Sequence, residues 1–326
     1  MSSALYSLAE LRSAAERVYQ EMPPTPQYAW PLLGERLGAE VWLKHENHTP
    51  TGAFKIRGGI TFMDWLVREH PEVSGIVTAT RGNHGQAQAR AARAAGLQAV
   101  IVVPHRNSVE KNTAMRGFGA ELIEYGEDYK EAADYAARLA SERNLKLVAA
   151  FHPAIMLGVA SYGLELFDAA GALDAVYVPI GNGSGICGTI AARNALGLST
   201  KVIGVVSDRA PAAKLGLETG KIDAAGKADT FADGVAVRAP DEEAFALYSQ
   251  HVDHIVTVDD EAVADAIRII WQDTHNLAEG AGAVALAGMI SEKERISGKR
   301  VAAILSGGNM DQPMVATVLS GQTPLS

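Results

Sequence analysis

Four short segments carry residue types and spacings that could do chemistry. The first is the loop Lys44-His-Glu-Asn-His-Thr-Pro-Thr-Gly-Ala-Phe-Lys-Ile-Arg-Gly-Gly59, in which Lys55 stands just after a glycine turn, at the expected start of a helix. A helix N-terminus and nearby Arg57 are expected to depress its pKa and favour the neutral amine that attacks a carbonyl. A surface lysine in a basic turn is the plain alternative. The second segment, Thr80-Arg-Gly-Asn-His-Gly-Gln86, lies between a strand-like run and a helix-like one. Its backbone N–H groups and the helix dipole suit an anion such as a carboxylate, and Asn83 and His84 add polar side chains. A capped helix start would look the same.

The third segment is Gly181-Asn-Gly-Ser-Gly185. Glycines let the backbone approach a phosphate closely, and successive N–H groups form a cradle. The spacing is neither a Walker A loop nor a complete dinucleotide fingerprint. The fourth is Ser306-Gly-Gly-Asn309, following the buried run Val301–Leu305. It could set one hydroxyl beside a ligand. The second pair of segments also reads as ordinary turns when each is taken alone.

The elements that must position these loops alternate regularly. Strands are expected at Gly75–Thr78, Ala99–Val103, Glu121–Glu124 and from Leu147, then at Ala175–Ile180, Val202–Val206 and Val301–Leu305. Helices are expected over Gln86–Ala95, Glu110–Phe118, Lys130–Glu142 and Gly188–Leu196. Such alternation means an α/β protein with parallel sheets covered on both faces. Its ligands bind in the loops at the carboxyl ends of the strands, where the glycine-rich segments sit. The pattern divides into a small unit, residues 68–147, set within a large one, residues 1–67 and 148–326, the two facing each other across a cleft.

Composition narrows the class. The chain has 326 residues, 48% hydrophobic and 21% charged, as expected of a globular chain that buries a sizeable core without staples. Its net charge of −9 argues against a general affinity for nucleic acid or an anionic membrane. The single cysteine, Cys187, excludes an internal disulfide and fits a reducing compartment. Residues 1–21 mix charges with small residues, unlike a signal peptide, so a cytoplasmic location is expected.

Together the segments resemble the fold-type II pyridoxal-phosphate enzymes, in the threonine dehydratase, serine racemase and hydroxyaspartate dehydratase branch. The resemblance runs from about Thr25 to Asp311 and rests most on Thr51–Gly59 followed by Gly82-Asn-His-Gly-Gln86. It implies two doubly wound open-sheet domains like those of tryptophan synthase β. The large one would bind the cofactor and the small one would close on substrate. It also implies roles. Lys55 would hold pyridoxal phosphate as a Schiff base and then act as the base at Cα. Phe54 would pack on the cofactor ring, and Asn83 would hydrogen-bond its phenolic oxygen. Gly181, Asn182, Gly183 and Ser184 would hold the phosphate, and Ser306 would face the pyridine nitrogen. Glu279, in Ala278-Glu-Gly-Ala-Gly282, matches a glutamate near the cofactor. Thr80, Gly82, Asn83 and His84 would bind the substrate carboxylate, with Arg81 beside them in the substrate-binding loop. The implied reaction removes water from a β-hydroxy-α-amino acid and leaves a 2-keto acid and ammonia. The implied assembly is a homodimer.

Departures from the branch refine these expectations. Thr80-Arg81 replaces a Ser-Ser pair whose second serine is the opposite-face acid/base in serine racemase. Arginine is a poor proton shuttle, so little racemase activity is expected. Arg81 could instead pair with a second substrate carboxylate, as in 3-hydroxyaspartate, or simply face solvent. Ala53 replaces a common serine, leaving a bulky substrate such as phenylserine open. Ser207 stands where some relatives have a metal-binding glutamate, so no full metal site is expected there, although Asp208 could still help bind a cation. The chain ends soon after the Ser306 loop, so no regulatory domain, no feedback inhibition by isoleucine and a catabolic role are expected. Competing readings are a β-replacement enzyme of cysteine- or cystathionine-synthase type, a threonine synthase, and a non-catalytic protein that keeps the pocket.

Overall fold

The computed structural model describes residues 6–223, 226 and 228–325. Ten strands form two sheets. The larger is built from β1 (Gln27–Ala29), β2 (Glu40–His45), β7 (Ala175–Pro179), β8 (Lys201–Ser207), β9 (His254–Val258) and β10 (Arg300–Leu305), in the order β1-β2-β10-β7-β8-β9. The smaller holds β3 (Gly75–Ala79), β4 (Gln98–Val103), β5 (Glu121–Glu124) and β6 (Leu145–Leu147), in the order β5-β4-β3-β6. All pairings are parallel except β1 with β2. The small sheet lies wholly within the segment set apart in the sequence.

The strand orders explain where a site can form. β10, last in the chain, is inserted between β2 and β7, with Leu305 opposite His45 and Val301 opposite Ala175. In the small sheet, β3 lies between β4 and β6. Each sheet therefore has a switch in strand order, and the loops at the carboxyl ends diverge there to leave a crevice. The loops after β7, β10 and β3 are the glycine segment, the Ser306 segment and the Thr80–Gln86 segment.

β8 and β10 are apolar and buried along almost their whole length, as central strands covered on both faces must be. One core cluster continues from the helix Pro153–Ala170 through Ile56 and Ile60 to Ile76 and Ile101 of the small sheet. A second fills the other face of the large sheet, and a third lies on the far side of the small one.

Several boundaries differ from expectation. The helices after the glycine loops begin earlier, at Asn83 and Ser184, because Gly85, Gly185 and Gly188 are drawn into helix despite their low propensity. The run at Leu147 ends β6 rather than beginning a strand. Lys146 interrupts its apolar pattern, and the strand is held only on one side, by β3. Lys44 and His45, read as part of a loop, close β2. No helix among the described residues is long and apolar enough to cross a membrane.

Candidate active site

Lys55 is the first residue of the helix Lys55–Glu69. The stretch before it is fixed from two sides. Phe54 N–H donates to the Ser306 carbonyl at 3.0 Å, and Ala53 pairs with Gly307 in an isolated bridge. The Lys55 and Ser306 segments are thus one structural unit, joined across the end of β10. The Ala53 methyl packs against Gly307 and is buried, so its place is in this joint.

Burial draws the Lys55 amine down to about 8, while the charge of Glu279 pulls the other way. Arg57 takes no part in this, contrary to expectation. Its guanidinium is fully buried on another side of the helix, where it donates to Glu46 at 2.7 Å and Glu165 at 2.6 Å. The depression comes from desolvation.

Phe54 meets Tyr162 edge-on, with ring centroids 6.0 Å apart, and its ring edge lies against Gly185 at the start of the helix Ser184–Ala195. This contact brings Lys55 beside the glycine segment. Gly183 precedes that helix with φ of +94°, a left-handed conformation that favours glycine. A Cβ on Gly181 would lie 2.2 Å from the Gly234 carbonyl oxygen, in the turn Asp233–Val235, which roofs the loop. Ser184 is buried and Asn182 is half-buried. The result is a backbone pocket at a helix N-terminus, with no side chain filling it from Gly181 or Gly183.

Asn83 begins the helix Asn83–Ala94 after β3. Its amide donates to Glu279 Oε1 at 2.5 Å, and its Oδ1 accepts from Asn309 Nδ2 at 2.8 Å. Asn309 also donates to the Thr51 carbonyl at 2.7 Å. Glu279 is buried at the start of the helix Gly280–Ser291, and its own N–H donates to the Gly307 carbonyl. Burial pushes its carboxyl up to about 7, against the pull of Lys111 and the Asn83 amide. Ser306 is buried, with its hydroxyl donating to the Ala281 carbonyl at 3.2 Å.

Thr80 and His84 are buried, and the Thr80 hydroxyl accepts from Gly82 N–H at 3.1 Å. Burial, then the charge of Lys55, lowers His84 to about 3, so its imidazole is neutral. His84 Nε2 is buried without a hydrogen-bond partner among the described residues. Such an orphan is costly unless a ligand satisfies it. Arg81 is exposed and makes no hydrogen bond or ion pair among the described residues. Ser207 is buried at the end of β8, and Asp208 beside it is exposed. No group of metal-binding side chains occurs among the described residues.

Sequence reasoning assigned no role to Lys111, Asn309 or the Asp233–Val235 turn. Asn309 follows Ser306 in the same loop, which was the only available signal. Lys111 lies on an ordinary amphipathic helix far along the chain, and folding alone brings it here.

The residues present fit pyridoxal phosphate. The amine is one that can lose its proton near neutral pH. The glycine pocket offers N–H groups at the positive end of a helix, as a phosphate requires. The Ser306 hydroxyl at the end of β10, which can still accept a hydrogen bond, and the unsatisfied His84 imidazole add polar groups for a ligand.

Known proteins match this arrangement. The chain is 35% identical over 290 residues to an L-threonine ammonia-lyase of Thermotoga maritima, covering 89% of this chain and 72% of the relative. It is 31% identical over 314 residues to an L-threo-3-hydroxyaspartate ammonia-lyase of Saccharomyces cerevisiae, covering 96% of each. The structure of the processed form of threonine deaminase isoform 2 from Solanum lycopersicum superposes with a TM-score of 0.88 at 31% identity, covering 97% of this chain and 95% of that one. The chain spans only 56–60% of the length of several other curated relatives. The family described as pyridoxal-phosphate dependent enzyme matches residues 18–307, which take in Lys55, Asn83, the glycine segment, Glu279 and Ser306, and the chain belongs to that family.

Proposed function

We propose that the protein is a dehydratase, or ammonia-lyase, that removes water from a β-hydroxy-α-amino acid to give a 2-keto acid and ammonia. The observation that carries this reading is the convergence of the loops beside Lys55: Phe54 is hydrogen-bonded to the Ser306 carbonyl and lies against Gly185, and Asn83 donates to Glu279. Burial draws both Lys55 and Glu279 towards their neutral forms. Ammonia-lyases among the relatives support it.

Pyridoxal phosphate, when bound, supplies an electron sink that acidifies the Cα–H of an attached amino acid. The residues of the chain do the rest. Lys55 would hold the cofactor through Nζ. The same Nζ would take the Cα proton and, as an ammonium, return a proton to the departing β-hydroxyl. With a pKa of about 8, roughly a tenth of the amine is neutral at pH 7, against roughly one part in three thousand for an ordinary lysine. The Gly181–Ser184 backbone would hold the phosphate, Phe54 would support the ring, Asn83 would bond its phenolic oxygen, and Glu279 would lie near it. Ser306 would offer the ring nitrogen a neutral hydroxyl, which does not favour protonation there. Thr80, Gly82, Asn83 and His84 receive the substrate carboxylate, and Arg81 is the candidate for a second one.

Residues 68–147 act in this reading as a substrate-closing domain over a cofactor-binding domain of residues 1–67 and 148–326. Containment of all four small-sheet strands within that segment supports the division. The single buried Cys187 supports a cytoplasmic location. A homodimer belongs to the same reading, with the exposed Tyr28 and Leu32 at the edge of the large sheet offering apolar surface.

The test is keto-acid release by the cofactor-loaded protein from L-threonine, L-serine, L-threo-3-hydroxyaspartate and L-threo-phenylserine in parallel. Release from at least one is expected, with loss of both cofactor attachment and turnover in Lys55→Ala. A yellow protein that releases nothing from any of the four would instead favour β-replacement.

A further inference from the structure

One turn of one helix makes three separate contacts across the cleft. The helix is Val109–Gly117, packed on the small sheet. Its N-cap residue, Ser108, donates to Asp311 Oδ1 at 2.7 Å. Glu110 Oε1 accepts from the Gln312 N–H at 3.0 Å. Lys111 Nζ reaches Asp233 Oδ2 at 3.0 Å. These partners belong to the turn roofing the glycine pocket and to the segment beyond Ser306.

Lys111 differs from the other two in what its stem touches. A Cβ on Gly82 would lie 2.7 Å from Lys111 Cδ, so the stem packs directly on the proposed carboxylate loop. Its side chain is 13% exposed, while that of Asp233 is 43% exposed. One residue along from Asp233, the Gly234 carbonyl presses on Gly181. A single side chain therefore leans on the carboxylate loop and grips the roof of the anion pocket. No other described ion pair joins these two loops.

We infer that Lys111 is a positioning residue that couples the substrate-carboxylate loop to the roof of the phosphate pocket, so that each loop is ordered by the ligand of the other. The inference rests on the proposed function for the identity of the two ligands. The physical basis is linkage. Each ligand stabilises the arrangement in which its own loop is closed, and the ion pair makes closure of one loop favour closure of the other. The pair is half open to water and so weaker than a buried one, yet the Lys111 stem is desolvated and cannot easily swing away.

Asp233→Asn is the cleanest probe, because Asp233 is largely exposed and its loss does not threaten folding. Lys111→Met keeps the stem and removes the charge. In either variant the cofactor dissociation constant, read from its absorbance or fluorescence on titrating the apoprotein, is expected to rise about twofold to fivefold, a change typical of a partly exposed ion pair. The KM for the best hydroxy amino acid is expected to rise by a similar factor, with kcat little changed. In wild type, a carboxylate-bearing substrate analogue is expected to tighten cofactor binding, and in both variants this tightening is expected to disappear. The doubly reversed Lys111→Asp/Asp233→Lys protein is expected to recover part of it, which simple loss of packing would not allow.

The proposal is overturned if Asp233→Asn binds cofactor like wild type and keeps the analogue effect. It is overturned equally if the variants lose only melting temperature, with unchanged cofactor affinity in the folded fraction. The cofactor titration needs no turnover. A protein that binds cofactor yet dehydrates nothing would therefore count against the proposed function and leave this test standing.

Discussion

Lys55 and Glu279 hold opposite charges in an ordinary setting, yet both are driven by burial towards their neutral forms, to about 8 and about 7. Capture of an aldehyde needs the free amine. The rate at which apoprotein captures pyridoxal phosphate is therefore expected to climb about tenfold per pH unit on the acid side and to level near pH 8, as Lys55 loses its proton. Stopped-flow absorbance reads this directly. In Glu279→Gln the opposing negative charge is gone, so the plateau is expected to begin at lower pH, since Glu279 raises the proton affinity of Lys55. A plateau that stays in place would show that the carboxyl does not influence the amine. Lys55 was legible as a candidate from its place after a glycine turn. The cause of its lowered pKa was not. Arg57, two positions on, looked like a neighbour and proved to point elsewhere, because helical geometry carries successive side chains around the axis.

Arg57 instead ties elements together. Lys44 on β2, Glu46 after it, Arg57 on the Lys55 helix and Glu165 on the helix Pro153–Ala170 form a buried group of two cations and two carboxylates. Lys44 Nζ reaches Glu165 at 2.5 Å, Arg57 grips both carboxylates, and Ser161 and Thr25 accept from the remaining guanidinium donors. Burial opposes the charge of Arg57, and Glu46 and Glu165 outweigh it. Removing one member leaves an uncompensated charge in the interior. Arg57→Met is expected to cost about 3–5 kcal/mol in urea denaturation, far more than loss of a surface pair. A loss below about 1 kcal/mol would mean that the group is not acting as a unit. In the sequence, Arg57 reads as a neighbour of Lys55, and nothing there marks Lys44, Glu46 or Glu165 as its partners. The strands and helices they join were largely visible, since runs such as Val301–Leu305 and Val202–Val206 announce buried parallel strands. β1 was not. It has only three residues, is half exposed, and exists because β2 offers it an edge.

Across the whole molecule, the large sheet supplies Lys55, the glycine pocket, Glu279 and Ser306, and the small sheet supplies the Thr80–His84 loop and Lys111. Binding should therefore proceed in two spatial stages. Amide hydrogen exchange is expected to show cofactor alone protecting residues 181–187 and the start of the Lys55 helix. A non-eliminating carboxylate analogue is then expected to add protection at residues 80–86 and 109–113. Cofactor at a hundredfold excess over its dissociation constant should also stabilise the fold by about 2.7 kcal/mol. Protection of the small-sheet loop by cofactor alone, to the same extent, would contradict the two-domain division.

The sequence by itself determined the α/β class and the parallel strands, and it marked the candidate loops and the lysine within them. These are local matters, settled by apolar runs, glycine turns and residue type over a few positions. Tertiary structure decided which loops meet and what each charge faces. Insertion of β10 between β2 and β7 joined Ser306 to Phe54, and packing of the small sheet set Lys111 on Gly82 and against Asp233. Proton affinities and ion pairs depend on neighbours brought from more than a hundred residues away, and no local pattern encodes that distance.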